Sequence, residues 1–247
     1  MLLITDLDGT LLGDARALDQ FGRWLGERRN LVTLVYATGR TVAAVAHAAA
    51  RRSLPAPDHV IGSVGCEIAE FRNLSHDETW ETPNRKGWNV ATVRRVAECF
   101  GGLAIQPDEF QSDLKVSYFW DEATNRRLED LDMALTSSGM AAELTYSGSR
   151  FLDIMPRGVN KGSAARYLIG KLGVESRHVI ACGDSGNDAS LFSHGFRGVV
   201  VANAEADLIR RVGPEIYRSS QAHAAGVLDG IRYWTEVNDG SETLGAS

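Results

Sequence analysis

Two aspartates, Asp6 and Asp8, follow the apolar run LLIT at the start of the sequence. Carboxylates are almost never buried without a partner, and two carboxylates this close repel each other. A cation held against them would remove that repulsion. An ordinary Asp-Gly turn with a spare aspartate would give the same pattern, so the pair alone does not distinguish a site from a turn.

A second acidic pair, Asp184 and Asp188, follows another apolar run in the segment HVIACGDSGND. Because the carboxyl ends of parallel strands meet at one edge of a sheet, we expect both pairs of aspartates to lie together. Four carboxylates fit a hard cation with oxygen ligands, and Mg²⁺ is often shared with a phosphate group. The sequence therefore predicts a magnesium site at this edge.

Groups that could hold an anion stand near two other elements. The run LVTLVYATGR ends in Thr38, Gly39 and Arg40, which could donate to an anion, although Thr-Gly is also a common turn and helix cap. Lys161 stands in the first turn of a predicted helix, where a positive charge opposes the helix dipole. A bound anion would reverse that penalty, and a lysine with its ammonium group in water is the alternative.

The apolar pattern predicts the elements that position these residues. Short apolar runs alternate with helical patterns over roughly the first eighty residues and again from about residue 160. This alternation predicts an α/β core, a doubly wound parallel sheet with helices on both faces. The predicted core helices lie at residues 17–29, 42–52, 161–172, from residue 188, and at 222–234.

Between these two stretches the pattern changes. Amphipathic helices near residues 90–100 and 124–138 occur with strands such as LKVSYFW, AAELTYS and FLDIMP, which predicts an inserted α+β unit of order αββαββ. Pro83 and Pro156 mark its expected ends, because proline restricts the preceding residue and breaks regular structure. We expect a discontinuous core, residues 1–83 and 156–247, and an inserted domain, residues 84–155.

Composition and charge argue against several function classes. The net charge is −6, and the lysines and arginines are scattered, which argues against a nucleic-acid partner. No segment approaches the ~18 apolar residues of a membrane span, and no signal-peptide pattern precedes Asp6, so we expect a cytoplasmic protein. The three widely spaced cysteines are expected to be reduced.

Four segments resemble, in order, the motifs of the haloacid dehalogenase superfamily. They are DLDGT at 6–10, ATGR at 37–40, NKG at 160–162 and GDSGND at 183–188. The inserted unit lies between the second and third motifs and resembles the superfamily's type 2 cap, on a Rossmann-like core. Stretches such as LKVSYF, YSGSRFLDIMPRGVNKG and RGVVVANAEADL are similar to sucrose-phosphate phosphatases and related sugar-phosphate phosphatases. Cys66 departs from this pattern, in which a serine is expected.

The resemblance implies a Mg²⁺-dependent phosphatase that forms an aspartyl-phosphate. Asp6 would be the nucleophile and Asp8 the general acid and base. Asp184 would bind the metal directly, the backbone carbonyl of Asp8 would complete the protein's ligands, and Asp188 would hold the metal's waters or fix Lys161. The implied phosphate-binding residues are Thr38, Gly39, Arg40, Lys161 and Asn187, and the implied metal-site residues are Asp6, Asp8, Asp184 and Asp188.

The substrate implied by the resemblance is a phosphorylated disaccharide, with sucrose 6-phosphate as the leading candidate. Mannosylfructose phosphate, glucosylglycerol phosphate and mannosylglycerate phosphate are alternatives of the same class. A non-catalytic regulatory partner of a sugar-phosphate synthase is the alternative from another class, although the catalytic residues are all present. We expect a monomer that binds a small-molecule sugar phosphate, and association with a synthase is left open.

Sugar recognition is expected in the inserted unit, because the core residues can contact little beyond the phosphate. On the strand LKVSYFW, alternate side chains share the face opposite the apolar row. Further polar groups are expected on the neighbouring strands and in the segment VGCEI. The expected sugar-binding residues are Glu67, Lys115, Ser117, Ser147 and Asp153, and a solvated sheet face is the alternative for each.

Overall fold

The computed structural model describes residues 1–51, 54–121 and 124–242, which form two sheets and their flanking helices. The strands are β1 (Leu2–Thr5), β2 (Thr33–Ala37), β3 (His59–Gly62), β4 (Glu67–Glu70), β5 (Ser75–His76), β6 (Ala104–Ile105), β7 (Val116–Phe119), β8 (Ala142–Ser147), β9 (Phe151–Pro156), β10 (Val179–Gly183), β11 (Arg197–Val200) and β12 (Tyr217–Arg218). The helices are α1 (Ala15–Glu27), α2 (Val42–Ala50), α3 (Glu78–Arg85), α4 (Val90–Glu98), α5 (Asn125–Ser137), α6 (Lys161–Leu172), α7 (Ala206–Arg211) and α8 (His223–Glu242). Short 3₁₀ helices cover Ser63–Gly65, Asp108–Phe110, Ser176–His178 and Gly186–Ser193.

The larger sheet has, within the described residues, the strand order β12-β11-β10-β1-β2-β3-β4-β5. The strands from β12 to β3 in this order are parallel, and β4 and β5 extend the sheet as antiparallel strands. β1 lies between β10 and β2, with Thr5 opposite both Cys182 and Tyr36. The chain segments that leave β1, β2 and β10 therefore emerge side by side.

Helices cover both faces of this sheet. Leu3 packs with Phe21 of α1, whereas its neighbour Leu2 packs with Leu168 of α6. Successive side chains of a strand point to opposite faces, so a strand covered on both sides is apolar throughout, as β1 is. The predicted doubly wound parallel core is confirmed.

The smaller sheet is antiparallel, in the order β6-β7-β9-β8, and is called the cap sheet below. Val93 of α4 and Leu131 of α5 pack on the same face of it, against Tyr118 and Leu152. The chain order of these elements is αββαββ, as the sequence predicts. The opposite face carries Ser117 and Phe119 of β7 beside Asp153 and Phe151 of β9, so it is polar only in part.

The two prolines used to place the domain boundaries lie within regular elements. Pro83 is inside α3, and Pro156 is the last residue of β9 and pairs with Ala142. The expectation that proline breaks regular structure is therefore wrong for Pro83, whereas β9 does end at Pro156. Proline loses only its own N–H and keeps its carbonyl, and that of Pro83 accepts a hydrogen bond from the N–H of Lys86. The division at residues 83 and 156 stays a prediction.

Several helices begin or end at residues other than the predicted ones. α1 begins at Ala15, because Asp14 caps it by accepting the N–H groups of Arg16 and Ala17. The helix predicted from residue 188 is a 3₁₀ helix that begins at Gly186. α8 continues to Glu242, and the predicted end of α2 at residue 52 lies outside the described residues. None of the described helices has the length and apolar character to cross a membrane.

Candidate active site

The aspartates leave neighbouring strands at the same edge of the core sheet. Asp6 follows β1, and its backbone N–H donates to the carbonyl of Cys182 in β10 at 3.0 Å. Asp184 follows β10, and Asp188 lies in the first turn of the 3₁₀ helix behind it. Parallel pairing thus brings together residues that are nearly 180 positions apart in the chain.

A buried cluster forms at this edge from Asp6, Asp184, Asp188 and Lys161. One oxygen from each carboxylate lies within 4.8 Å of the others, and all three aspartates are buried. Lys161 is completely buried, and its Nζ donates to Oδ1 of Asp6 and to Oδ1 of Asp188, both at 2.7 Å. The two carboxylates stabilise its charge in the first turn of α6. The cluster holds three carboxylates and one ammonium group, so with every group ionised it carries a net negative charge that a cation could balance.

Hydrogen bonds determine which carboxylate oxygens are free. Oδ1 of Asp188 accepts a hydrogen bond from Lys161. Its Oδ2 accepts the backbone N–H groups of Asp184 and Ser185, both at 3.0 Å. Oδ1 of Asp184 accepts the hydroxyl of Thr10 at 2.6 Å. Oδ2 of Asp184 and Oδ2 of Asp6 accept no hydrogen bond from the described residues. Two alternative roles were expected for Asp188, and its contacts match the role of holding Lys161 in place.

Burial shifts the protonation equilibria of the cluster. Desolvation raises the pKa of Asp6 well above its usual range, opposed by Lys161 and reinforced by the neighbouring carboxylates. Burial, with the charge of Asp188, raises the pKa of Asp184 to about 7. Burial alone would lower the pKa of Lys161, but the carboxylates of Asp188 and Asp6 outweigh it, so the pKa is raised and the ammonium stays charged.

The carboxylate of Asp8 lies outside this cluster. Both of its oxygens accept hydrogen bonds from Arg40, from Nε at 2.7 Å and from Nη2 at 2.5 Å, and the Asp8 side chain is 58% exposed. The structure thus does not place this carboxylate beside those of Asp6 and Asp184. Arg40, which the sequence assigns to phosphate, is bound to Asp8 here.

A cavity of about 360 Å³ separates this edge of the core from the cap sheet. Aspartates of both strand ends line its core side, together with polar groups of the following loops. Phenylalanines and polar residues line its cap side. Sequence-predicted residues that line it are Asp6, Asp8, Gly39, Arg40, Lys115, Ser147, Asp153, Asp184 and Asn187.

Lys115 connects the cap to the core. It is 2% exposed, and its Nζ donates to the carbonyl of Gly39 at 3.3 Å and to Oδ1 of Asp153 at 3.2 Å. Ser117 of β7, two residues after Lys115, is fully buried, and its hydroxyl donates to Oδ1 of Asp153. Lys115 and Asp153 reach the cavity, whereas Ser117 is not part of its described lining.

Two other predicted residues make hydrogen bonds within the core. The carboxylate of Glu67 accepts the N–H of Val42 at 2.8 Å and so binds the first turn of α2. Thr38 is fully buried, and its hydroxyl oxygen accepts the N–H of Arg40 at 3.2 Å. Neither is in the described cavity lining. The structure therefore gives Glu67 a contact within the core, and its expected contact with the sugar stays a prediction.

Six lining residues were not among the site residues assigned from the sequence: Gln106, Phe110, Phe119, Phe151, Ser185 and Glu205. Phe151 is opposite Phe119 in the pairing of β9 with β7, and their ring centroids are 5.9 Å apart. Glu205 follows β11, another parallel strand that ends at the same edge. That strand end, and the place of Glu205 in the stretch RGVVVANAEADL, were the signals for it in the sequence.

Comparison with known proteins establishes the family. Residues 1–235 match the family described as sucrose-6F-phosphate phosphohydrolase, which is nearly the whole chain. The chain belongs to this family. The sequence-based prediction of a haloacid dehalogenase-type phosphatase is confirmed, and the chain is a phosphoric monoester hydrolase of the sugar-phosphatase type.

Relatives within and near the sucrose-6F-phosphate phosphohydrolase family match most of the chain. Mannosylfructose-phosphate phosphatase of Agrobacterium fabrum is 31% identical, over 94% of this chain and 96% of that protein. Sucrose-phosphatase 2 of Nicotiana tabacum is also 31% identical, over 94% of this chain but 58% of its own length, so this chain spans under two thirds of that relative. The solved sucrose-phosphatase of Synechocystis, in complex with sucrose and phosphate, is 32% identical with a TM-score of 0.88, covering 95% of this chain and 98% of that one.

Proposed function

We propose that the chain is a Mg²⁺-dependent phosphatase that hydrolyses a phosphorylated disaccharide, with sucrose 6-phosphate as the leading substrate. The observation that carries this proposal is the buried cluster of Asp6, Asp184, Asp188 and Lys161 at the core side of a cavity whose other wall is the cap sheet. The similarity to a sucrose-phosphatase solved with sucrose and phosphate supports the choice of sugar. Mannosylfructose phosphate is the second candidate, because a relative that the chain matches almost end to end carries that name.

The residues of the cluster fit a magnesium ion. Asp6 and Asp184 each keep one carboxylate oxygen without a hydrogen-bond donor among the described residues, and Mg²⁺ prefers such oxygen ligands. These two residues, with the backbone carbonyl of Asp8, would hold the ion. Bound there, Mg²⁺ would neutralise charge on the phosphoryl group during its transfer.

Asp6 is the nucleophile of the proposed reaction. Its carboxylate attacks phosphorus, the bond to the sugar oxygen breaks, and the resulting aspartyl-phosphate is hydrolysed by water. Lys161 donates to this carboxylate at 2.7 Å, which reduces the repulsion between Asp6 and the approaching phosphate. Asp188 keeps Lys161 in place through its own 2.7 Å contact.

Asp8 is the proposed general acid and base. It protonates the leaving sugar oxygen and then accepts a proton from the attacking water. Arg40 binds both oxygens of Asp8 in the structure, and both residues line the cavity. A phosphate that enters the cavity competes for Arg40 and so releases Asp8 for proton transfer.

The test is phosphate release from a panel of sugar phosphates by the purified protein. The panel contains sucrose 6-phosphate, mannosylfructose phosphate, glucosylglycerol phosphate and mannosylglycerate phosphate, each with Mg²⁺ and with excess chelator. We expect the highest kcat/KM on sucrose 6-phosphate and no turnover in chelator. The control is Asp6→Asn, which should be folded and inactive.

Three outcomes would contradict this proposal. Full activity in excess chelator would exclude the metal, and an active Asp6→Asn variant would exclude the nucleophile. A folded protein that hydrolyses none of the sugar phosphates would favour the regulatory partner of a sugar-phosphate synthase. The cytoplasmic location, the monomeric state and association with a synthase stay predictions.

A further inference from the structure

Glu205 is a carboxylate of the core that lines the cavity and has no part in the reaction described above. It precedes the first residue of α7, yet its side chain makes no capping hydrogen bond with that helix. Its backbone N–H donates to the carbonyl of Asp184 at 2.8 Å. The backbone of Glu205 is therefore fixed beside the metal-binding loop, and its carboxylate extends elsewhere.

One oxygen of this carboxylate connects the core to the cap. Oε2 of Glu205 accepts the N–H of Gly148, in the turn between β8 and β9, at 3.1 Å, and the N–H of Gly186 at 3.3 Å. Core and cap approach closely here. A Cβ built on Gly186 would lie only 3.0 Å from the carbonyl oxygen of Tyr146. The cap turn and the loop after β10 thus meet at a single carboxylate oxygen.

The other oxygen, Oε1, accepts no hydrogen bond from the described residues. A carboxylate accepts hydrogen bonds with both oxygens, and one that is covered by a ligand needs a donor on each. A phosphoryl group cannot supply one, because both groups are negatively charged. A hydroxyl group can, and a glycoside carries several.

We propose that Glu205 recognises the sugar from the core side of the cavity. Oε1 accepts a hydrogen bond from a hydroxyl group of the bound glycoside, while Oε2 keeps the cap turn at Gly148 against the core. This inference rests on the proposed sugar-phosphate phosphatase function. Selectivity for the sugar, which the sequence assigns to the cap, would then depend on a core residue as well.

The variant that tests this inference is Glu205→Gln. Its amide oxygen can still accept the N–H groups of Gly148 and Gly186, so an NH₂ group replaces Oε1 at the cavity. Losing a charged acceptor should raise the KM for the best glycoside phosphate by about five-fold or more. The loss on p-nitrophenyl phosphate, which lacks sugar hydroxyls, should be clearly smaller. Sucrose should also inhibit hydrolysis of p-nitrophenyl phosphate more weakly than in the wild type.

Asp207→Asn is the matched control. Asp207 lies in α7, forms ion pairs with Arg210 and Arg211, and is not in the described cavity lining. Its loss should leave the KM for both substrates unchanged. Glu205→Asp, which keeps the charge on a shorter side chain, gives the same comparison if the glutamine variant does not fold.

Two results for the Glu205 variants would overturn the inference. An unchanged KM for the glycoside phosphate would show that Oε1 contacts no sugar. Equal losses on both substrates would show that Glu205 only supports the loop of Asp184.

The wild type is measured first. If it shows no preference for any glycoside phosphate over p-nitrophenyl phosphate, the proposed function and this inference are both overturned. A preference that the Glu205 variants retain would overturn this inference alone.

Discussion

At the scale of single residues, Lys161 sets the electrostatics of the site. The sequence left open whether its ammonium group lies in water or at an anion, and the structure buries it completely between Asp6 and Asp188. Removing one partner from a buried charge network is costly, because the remaining charges lose their compensation without regaining water. Lys161 therefore stabilises the fold as well as the proposed nucleophile.

We expect Lys161→Met to abolish turnover and to lower the free energy of unfolding by about 3 kcal/mol, because it leaves buried carboxylates uncompensated. Urea unfolding in chelator, followed by circular dichroism, measures this. Lys171→Met is the control, since Lys171 lies in the same helix and pairs with Asp77 but its side chain is 56% exposed. Its effect should stay below about 1 kcal/mol. Equal effects for the two variants would contradict the special role of Lys161.

At the scale of elements, the loop after β1 is fixed by contacts from distant parts of the chain. The hydroxyl of Thr10 donates to Asp184, and the carbonyl of Gly9 accepts the side-chain amide of Asn203 at 2.8 Å. A ring nitrogen of His223 lies 2.9 Å from the same carbonyl oxygen. Gly9 has a φ of +89°, which favours glycine, and the carboxylate of Asp184 occupies the space that a Cβ would need.

Gly9→Ala should therefore displace Asp184 or the loop, and we expect kcat/KM to fall by about a hundred-fold or more, with a lower melting temperature. Gly26→Ala is the matched control, because Gly26 lies within α1 and a Cβ there would meet no atom within 4 Å. Alanine at that helical position should raise stability by about 0.5–1 kcal/mol and leave kcat unchanged. Near-normal activity of Gly9→Ala would show that the loop tolerates a shift of Asp184.

At the scale of the whole molecule, the site is closed by contacts between two sheets. Lys115 reaches from the cap to the carbonyl of Gly39 in the core, and Glu205 reaches from the core to Gly148 in the cap. The cavity between them is lined by aspartates on one side and by cap residues on the other. Phosphate chemistry and sugar recognition are thus expected on opposite walls, with Glu205 as the exception.

Lys115→Met tests the cap wall. Methionine has an apolar side chain of similar length, but it cannot donate the hydrogen bonds to Gly39 and Asp153. We expect the KM for the best glycoside phosphate to rise about ten-fold, since a hydrogen bond to a charged group is worth about 1.5–3 kcal/mol. Hydrolysis of p-nitrophenyl phosphate should change less. Equal losses on both substrates would show that Lys115 supports the closed arrangement rather than the sugar.

The sequence by itself determined the core of this protein and the chemistry of its sheet edge. Alternating apolar runs predict a parallel sheet, and the carboxyl ends of its strands meet at one edge, so Asp6, Asp184 and Asp188 could be grouped without coordinates. The resemblance of four short motifs to a known superfamily then gave the expected roles, and the family is confirmed.

Only the tertiary structure decided which side chains reach the cavity. Ser117 shares a strand face with Lys115 but is buried beneath Asp153, because alternation predicts the face of a residue and not its depth. Glu67 binds the first turn of α2 instead, and Asp8 is held by Arg40. Glu205 meets a cap turn 57 residues earlier in the chain, a contact that depends on how two sheets pack together and that no local pattern encodes.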